Sequence, residues 1–490
     1  MSNADRDVLI IQRLNKSFNQ YPQTSDNKDL FAELFGNLRD SAAEKMAGGK
    51  TAEEAVTAAF QEFGDVDELL KQVNEENGTA KKPAPAPKPL PNAAGPVPSM
   101  PVPPMPVAPH PVQAKPVPLA KSMHQPDQRL TEVQRLTAPG VGISAITINY
   151  PDDLELQPTD APDFTLVEYM TTDEPDRYAR MTKMDDELRI QAGRRSHFGF
   201  TLRINELSWG FHARAVLQVP RSFTGDLTIA GDDGNMALHE LGTLESVSVK
   251  IDDGNLQVTQ IAGNTLMIEG DDGNVGLSEL NFASTSIHVD DGNTKVTNVQ
   301  AADDFSFDGG DGNLLLDTVN AGTLSISGDD GNQSWSVIRA SDADVSFSDG
   351  RLDATDVILA SLDLSYEDGR AAFHQTTVQE PVTASYDDGS LTLEQFTGAG
   401  DFTLEDGRFA GSFTQVTDDI TVTGEDGNVR VDLPTAAQYT FNLHREDGHA
   451  NVPAEAVFTK QGKHRWIGQV GAAPAFTVTG SVEDGSISIR

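Results

Sequence analysis

Neighbouring carboxylates recur along the second half of the chain, and each pair is followed by glycine. The pairs are Asp232/Asp233, Asp252/Asp253, Asp271/Asp272, Asp290/Asp291, Asp329/Asp330, Glu367/Asp368, Asp387/Asp388 and Glu425/Asp426. Two acids at one locus can ligate a divalent cation, move a proton in hydrolysis, or receive a cationic ligand. Calcium needs six to eight oxygens, and a helix-loop-helix calcium loop ends on a bidentate Glu. After Asp-Asp-Gly-Asn255 the chain continues Leu256-Gln257-Val258, which is strand sequence, so the loop is cut short and no metal is expected. An active site is normally singular, whereas this pair is written about a dozen times on short turns. The histidines are scattered without a His-x-His or His-Glu-x-x-His pair, and there is no nucleophile elbow or Walker loop. No catalytic residue, cofactor or metal is expected, and the chain reads as non-enzymatic.

The glycines behind the acids give the spacing. Gly234, Gly254, Gly273, Gly292, Gly312, Gly331, Gly350, Gly369, Gly389, Gly407, Gly427 and Gly448 follow one another at intervals of about 19–20 residues. Gly485 comes 37 residues later, which leaves room for one degenerate turn near Gly468. A fixed short period means one supersecondary unit stacked on copies of itself. Seven and five residues before each glycine the chain is usually apolar, as at Val247/Val249, Leu266/Ile268 and Leu324/Ile326. Two and four residues after it the pattern resumes, as at Leu256/Val258 and Leu314/Leu316, with a further apolar residue at seven, such as Leu241, Ile261 and Val299. Each unit is therefore strand, Asp-Gly turn, strand, with one face buried. The period is half that of a propeller blade, so the expected architecture is an all-β solenoid, or β-helix, with about 19–20 residues per coil.

In such a stack the turn acids form a column. Like charges about 5 Å apart repel by roughly 1 kcal/mol per pair in water. The turn needs Asp-Gly but not the second acid, so the column is a candidate cationic-ligand ridge, set against the plainer reading of exposed turns and counterions. Lys+Arg 36 against Asp+Glu 75 gives a formal charge of −39, which repels nucleic acid and favours a cationic peptide or basic protein surface.

Upstream, residues 1–78 carry helical periodicity: Val8, Ile11, Leu14 and Phe18, then Phe31, Leu34, Leu38, Ala42 and Met46. Thr51-Ala-Glu-Glu54 is a capping box opening a third helix, and Asp65-Val-Asp-Glu68 starts a fourth. These stripes can close a small helical bundle. Fifteen prolines between Pro83 and Pro118 delete amide donors, so 79–138 reads as a disordered, Pro-rich polyproline-II linker. Strand alternation starts near Gly140, making 139–230 a β-rich lead-in to the repeats of 231–490. The fold class is α + β multidomain: helical bundle, linker, solenoid. The N-terminal apolar run spans only Val8–Ile11, no export signal is expected, and no stretch is long enough to cross a membrane, which places the chain in the cytoplasm by sequence. Cysteine is absent.

Two stretches carry resemblances. Gly48–Val73, "GGKTAEEAVTAAFQEFGDVDELLKQV", resembles the HAAS-type helical domain of bacterial signalling and membrane-associated regulators. Arg214–Leu238, "RAVLQVPRSFTGDLTIAGDDGNMAL", resembles the opening of a bacterial adhesin-like β-strand-repeat family, and that likeness spans roughly 140–490. The combination is similar to the LiaX-type family of Gram-positive bacteria, surface-associated components of the cell-envelope stress response to antimicrobial peptides. The resemblance implies a sensor or modulator at the cell surface that binds a protein or cationic peptide, with a membrane-bound signalling protein as a further partner. The alternative is an adhesin-like structural surface protein displaying an anionic solenoid, and a third reading is a polysaccharide-active β-helix enzyme.

Overall fold

The protein is described from a computed structural model covering residues 3–18, part of 34–46, 50–63, 130–194, 202–204, 207–209 and 211–490. Two compact units are present, one comprising Met1–Pro118 with Ser196–Gly210, the other Leu119–Arg195 with Phe211–Arg490.

In the first unit, helices Asn3–Phe18 and Ala52–Phe63 and the helical residues between 34 and 46 close one core around Ile10, Leu14, Phe18, Leu34, Leu38, Ala42, Val56 and Ala59. The first stripe therefore runs through Ile10, and Ile11 is 38% exposed. The capping box forms as expected: the Thr51 N–H donates to Glu54 Oε2 at 3.0 Å and the Glu54 N–H to Thr51 Oγ1 at 3.4 Å. The Thr51 N–H holds the Glu54 carboxyl below the usual range. The fourth helix and most of the Pro-rich linker lie outside the described residues.

The second unit is a β-solenoid. Strands Met236–Ile251, Leu256–Gly270, Val275–Val289, Thr294–Gly309, Leu314–Gly328, Asn332–Phe347 and Arg351–Tyr366 pair in parallel, each with the next. Apolar columns such as Leu238–Val258–Leu277–Val296–Leu316 stack inward into one continuous core. Coils of 20 residues absorb their extra residue away from the Asp-Gly corner, where the register shifts between Ala301 and Asp304, so the ridge stays aligned.

A second corner follows six residues after each turn glycine from Gly234 to Gly389. Glu240, Gln260, Glu279, Asn298, Thr318, Val337, Asp356, Gln375 and Gln395 all sit in the left-handed region, with φ from 52° to 61°. Polar side chains tolerate it; for the β-branched Val337 and Thr318 it is strained.

Both ends depart from simple stacking. The linker was expected to extend through 138, but Thr131–Pro139 is a strand, antiparallel to Asp163–Met170. Its "TEVQRLTAP" supplies the donors that the outer edge of Asp163–Met170 needs. The first coil is Ala145–Asn149 with Asp153–Thr159, whose corner is Asp152/Asp153 without glycine; a Cβ on Gly234 would lie 2.1 Å from the Asp152 carbonyl carbon. At the other end no degenerate turn forms at Gly468. That residue lies in Arg465–Val470, antiparallel to both Tyr439–Asn451 and Val457–Gln461. The final strand Phe476–Ile489 returns to fill the slot between Val382–Asp432 and Tyr439–Asn451, so the spatial order of corner glycines is Gly427, Gly485, Gly448. The long last interval is thus a topological exchange that pairs both edges of the terminal strand. Two of the edge strands, Arg180–Met184 at one end and Val457–Gln461 at the other, carry Lys183 and Lys460, charges that discourage edge-to-edge pairing.

Glu168 pins the N-terminal end. This fully buried carboxylate accepts from Gln134 Nε2 at 2.6 Å, the Tyr150 hydroxyl at 3.0 Å and the Ala179 N–H at 2.8 Å. Three donors offset the desolvation of a charge that would otherwise be costly.

Candidate functional site

The corner glycines set the ridge. A Cβ added at Gly254, Gly273, Gly292, Gly312 or Gly331 would lie 1.6 to 1.9 Å from the carbonyl oxygen of the preceding corner glycine. Only a residue without a side chain permits backbones to stack so closely. The turns hydrogen-bond to one another through the main chain: the Asp253 N–H donates to the Asp232 carbonyl at 3.1 Å, Asp272 to Asp252 at 3.0 Å and Asp291 to Asp271 at 2.9 Å.

This arrangement brings the sequence-predicted acids into one line. Asp232, Asp233, Asp253, Asp271, Asp272, Asp290, Asp291, Asp329, Asp330, Glu367, Asp368, Asp387, Asp388, Glu425 and Asp426 are exposed, and Asp252 is half-buried. The line is broken at Gly310 and Ser348, where the first acid of the pair is missing. Asp290 is reached by His288; no other of these carboxylates takes part in an ion pair among the described residues.

The residue after each glycine divides the ridge. From Asn332 back to Asn235 the side-chain amides form a ladder, each Nδ2 donating to the preceding Oδ1 at 2.7 to 3.1 Å, and Asn235 donating to Asp153 Oδ1 at 3.0 Å. Each amide thereby ties its own turn to the next and adds no charge. Beyond Asn332 the same column holds Arg351, Arg370, Ser390 and Arg408. Arg351 pairs with Asp353 at 2.7 Å, an acid outside the corner pairs. The first half thus sets its acids beside neutral amides, and the second sets them beside cationic residues in the adjacent column. The sequence shows these residues, but their meaning depends on vertical stacking.

A shallow groove of about 390 Å³ runs along the ridge, lined by His288, Asp290, Asp308, Ser327, Asp329 and Glu367 among others. His288 Nε2 lies 3.2 Å from Asp290 Oδ1 and its Nδ1 3.0 Å from Asp308 Oδ2, while the Ser327 hydroxyl donates to Asp308 Oδ1 at 2.6 Å. In a serine-nucleophile relay the imidazole takes the hydroxyl proton. Here the imidazole is held between two carboxylates and the serine bonds to an acid, so the network fixes the outer wall of the groove and does not activate Ser327. His288, Asp308 and Ser327 escaped sequence reasoning because they precede the repeat's signature and are not periodic in type.

Beneath the second half, the residues three before the glycine form an aromatic stack. Phe347–Tyr366 and Tyr366–Tyr386 have ring centroids 4.9 Å apart and interplanar angles of 1° and 2°. Burial pushes the Tyr366 and Tyr386 phenols above the usual tyrosine range.

Among the described residues no group of three His, Asp or Glu side chains is placed to hold a metal, and no helix is long and apolar enough to cross a membrane. No curated protein matches the chain. One similar solved structure is that of a Clostridium sporogenes protein provisionally assigned to cell adhesion, at 9% identity, covering 74% of this chain and 98% of that one with a TM-score of 0.22. The family model described as Toastrack DUF4097 matches residues 143–311 and 302–490, the whole length of the solenoid. The chain belongs to the Toastrack DUF4097 family.

Proposed function

We propose that the protein is a non-enzymatic, adhesin-like structural protein that presents an anionic β-solenoid edge to cationic partners at the bacterial surface. One observation carries the reading: between Asp232 and Asp330 the carboxylates stand rung over rung, with the pair interrupted at Gly310, beside a neutral asparagine ladder. Paired acids at the spacing of a β ladder, about 4.8 Å, match the charge density of an extended basic peptide or a basic protein face. Binding such a partner relieves the repulsion built into the ridge. In the finer form of this reading, which draws on the LiaX-type and HAAS-type likenesses, the cationic partner is an antimicrobial peptide. The helical unit then passes the event to a membrane-bound signalling protein of the envelope stress response.

Calorimetric titration of the full chain with a cationic antimicrobial peptide, at low and physiological salt, tests both forms. Saturable heat that falls with salt, and is lost when Asp271, Asp272, Asp290 and Asp291 become Asn, supports the ridge as a receptor. Absence of heat at low salt removes the binding role and leaves a display scaffold. Cells lacking the protein with unchanged peptide susceptibility would remove the stress-response form alone.

A further inference from the structure

The strands Val457–Gln461 and Arg465–Val470 form an antiparallel hairpin at the C-terminal end of the solenoid, and Arg465–Val470 pairs on its other edge with Tyr439–Asn451. This hairpin runs against the charge of the chain. Between Glu455 and Glu483 there is no Asp or Glu, while Lys460, Lys463, His464 and Arg465 crowd its tip. All four side chains are exposed. Neither lysine nor Arg465 joins an ion pair among the described residues, although Glu446 and Asp447 stand on the neighbouring strand.

The tip is held from several sides. Trp466 Nε1 donates to the Gly462 carbonyl at 3.1 Å, His464 Nδ1 to the Glu446 carbonyl at 2.9 Å, and Arg465 Nε to Asn442 Oδ1 at 3.1 Å. Behind it Phe458 packs edge-on against both Phe441 and Trp466. Cations on a frame that is already ordered lose little freedom on binding. What they bind follows from charge: the matching surface is the ridge, where Asp271, Asp272, Asp290 and Asp291 are exposed on successive rungs. A hairpin cannot reach that stretch on its own chain. Gly331 and Gly448 are separated by the corners Gly350, Gly369, Gly389, Gly407, Gly427 and Gly485. Seven rungs of about 4.8 Å come to roughly 34 Å, against a Debye length of about 8 Å at physiological ionic strength. The contact therefore takes a second chain, and every copy carries both halves of it.

We infer that the Val457–Val470 hairpin is a self-association element, which docks Lys460, Lys463 and Arg465 on the Asp271–Asp291 stretch of the ridge of a second copy of this chain. The inference rests on the reading of the ridge as a surface for cationic partners and names one such partner.

Sedimentation velocity of the full chain over a concentration series, at low and at physiological salt, reads the association directly. Wild type should associate reversibly, and less as salt rises. Lys460→Glu with Lys463→Glu should weaken the association at least about tenfold. That variant should unfold at the wild-type temperature, since neither lysine has a partner to lose. Changing Asp271, Asp272, Asp290 and Asp291 to Lys should have the same effect on association. Mixing the two variants should restore it, because the reversed hairpin then meets the reversed ridge. Wild type that stays monomeric at low salt would overturn the inference, as would a hairpin variant that associates like wild type or a mixture that stays monomeric. Calorimetry with the cationic peptide separates the two readings. Peptide heat from a monomeric wild type would remove the second copy alone, and loss of both signals would remove the ridge reading with it. Monomeric wild type that pellets with phosphatidylglycerol vesicles through the same two lysines would overturn the inference by giving the hairpin to a lipid surface.

Discussion

The two halves of the ridge use one corner motif and solve its electrostatics differently. From Gly254 to Gly331 the glycines stack so closely that an added Cβ would come within 1.9 Å of the carbonyl oxygen below. From Gly350 to Gly427 the corresponding distances are 2.3 to 2.9 Å. The tight half is the half with the asparagine ladder; the looser half replaces it with arginines and places a stack of aromatic rings underneath. In the tight half a neutral amide ladder joins turn to turn and adds no charge. Arginines in the same column lower the net charge of their turns but give up the turn-to-turn amide hydrogen bonds, and a stack of rings at about the strand spacing lies beneath that corner.

That contrast is most sharply broken at the glycines. Gly312→Ala should cost roughly 3 kcal/mol or more, because the methyl group meets main chain that cannot move aside. Gly369→Ala, whose nearest obstacle is the Phe347 ring at 2.6 Å, should cost about 1 kcal/mol. Equal losses in denaturant unfolding of the two variants would mean the halves are packed alike. Next in size is the ladder itself: Asn293→Ala removes a donor to Asn274 and an acceptor for Asn313, and should cost about 2 kcal/mol. Arg370→Ala, in the same column but outside the ladder, should stay within about 0.5 kcal/mol.

Alkaline pH probes the aromatic half and the C-terminal end. Burial pushes the Tyr439 phenol up to about 12, and Tyr366 higher still; neither hydroxyl has a hydrogen-bond partner among the described residues. A folded-state pKa raised above the unfolded value of about 10 leaves stability intact below pH 10 and removes it as pH rises through the folded value. For Tyr439 that window runs from about pH 10 to about 12. Tyr366→Phe and Tyr439→Phe should each flatten the alkaline loss and change neutral stability by no more than about 1 kcal/mol, upward if at all. A variant that loses stability at neutral pH would show that the hydroxyl is paired. The smallest effect concerns charge. Asp271, Asp272, Asp290 and Asp291 changed together to Asn should stabilise the protein at low salt by about 1 kcal/mol. The same change at Glu367, Asp368, Asp387 and Asp388 should do less, because arginines already stand beside them. Melting curves at two salt concentrations compare the sets, and the gain should shrink as salt rises.

Much of this was legible in the residues. The 19–20-residue period, the strand–turn–strand unit and the inward apolar positions follow from alternation around Asp-Gly, since only one face of each strand can be buried. The Thr51–Glu54 capping box was equally plain. Other features were hidden for identifiable reasons. The left-handed second corner is occupied by Glu, Gln, Asn, Thr, Val and Asp in turn, so no residue type marks it. The asparagines after the glycines look like ordinary turn residues until the coils are stacked and their amides meet. Gly468 reads as a missing repeat because spacing along the chain cannot reveal that the last strand is inserted between two earlier ones.

The chain's own pattern settles what is local and periodic: a β-solenoid with glycine corners, an acidic pair at most of them, and helices ahead of it. These follow from backbone conformational preference and the burial of every second side chain. The vertical relations belong to the folded molecule. It alone aligns Asn over Asn in one half and Arg over Arg in the other, stacks Phe347, Tyr366 and Tyr386, and exchanges Gly485 and Gly448. The reason is that contacts between coils join residues a full turn apart, and their energy comes from register between neighbours.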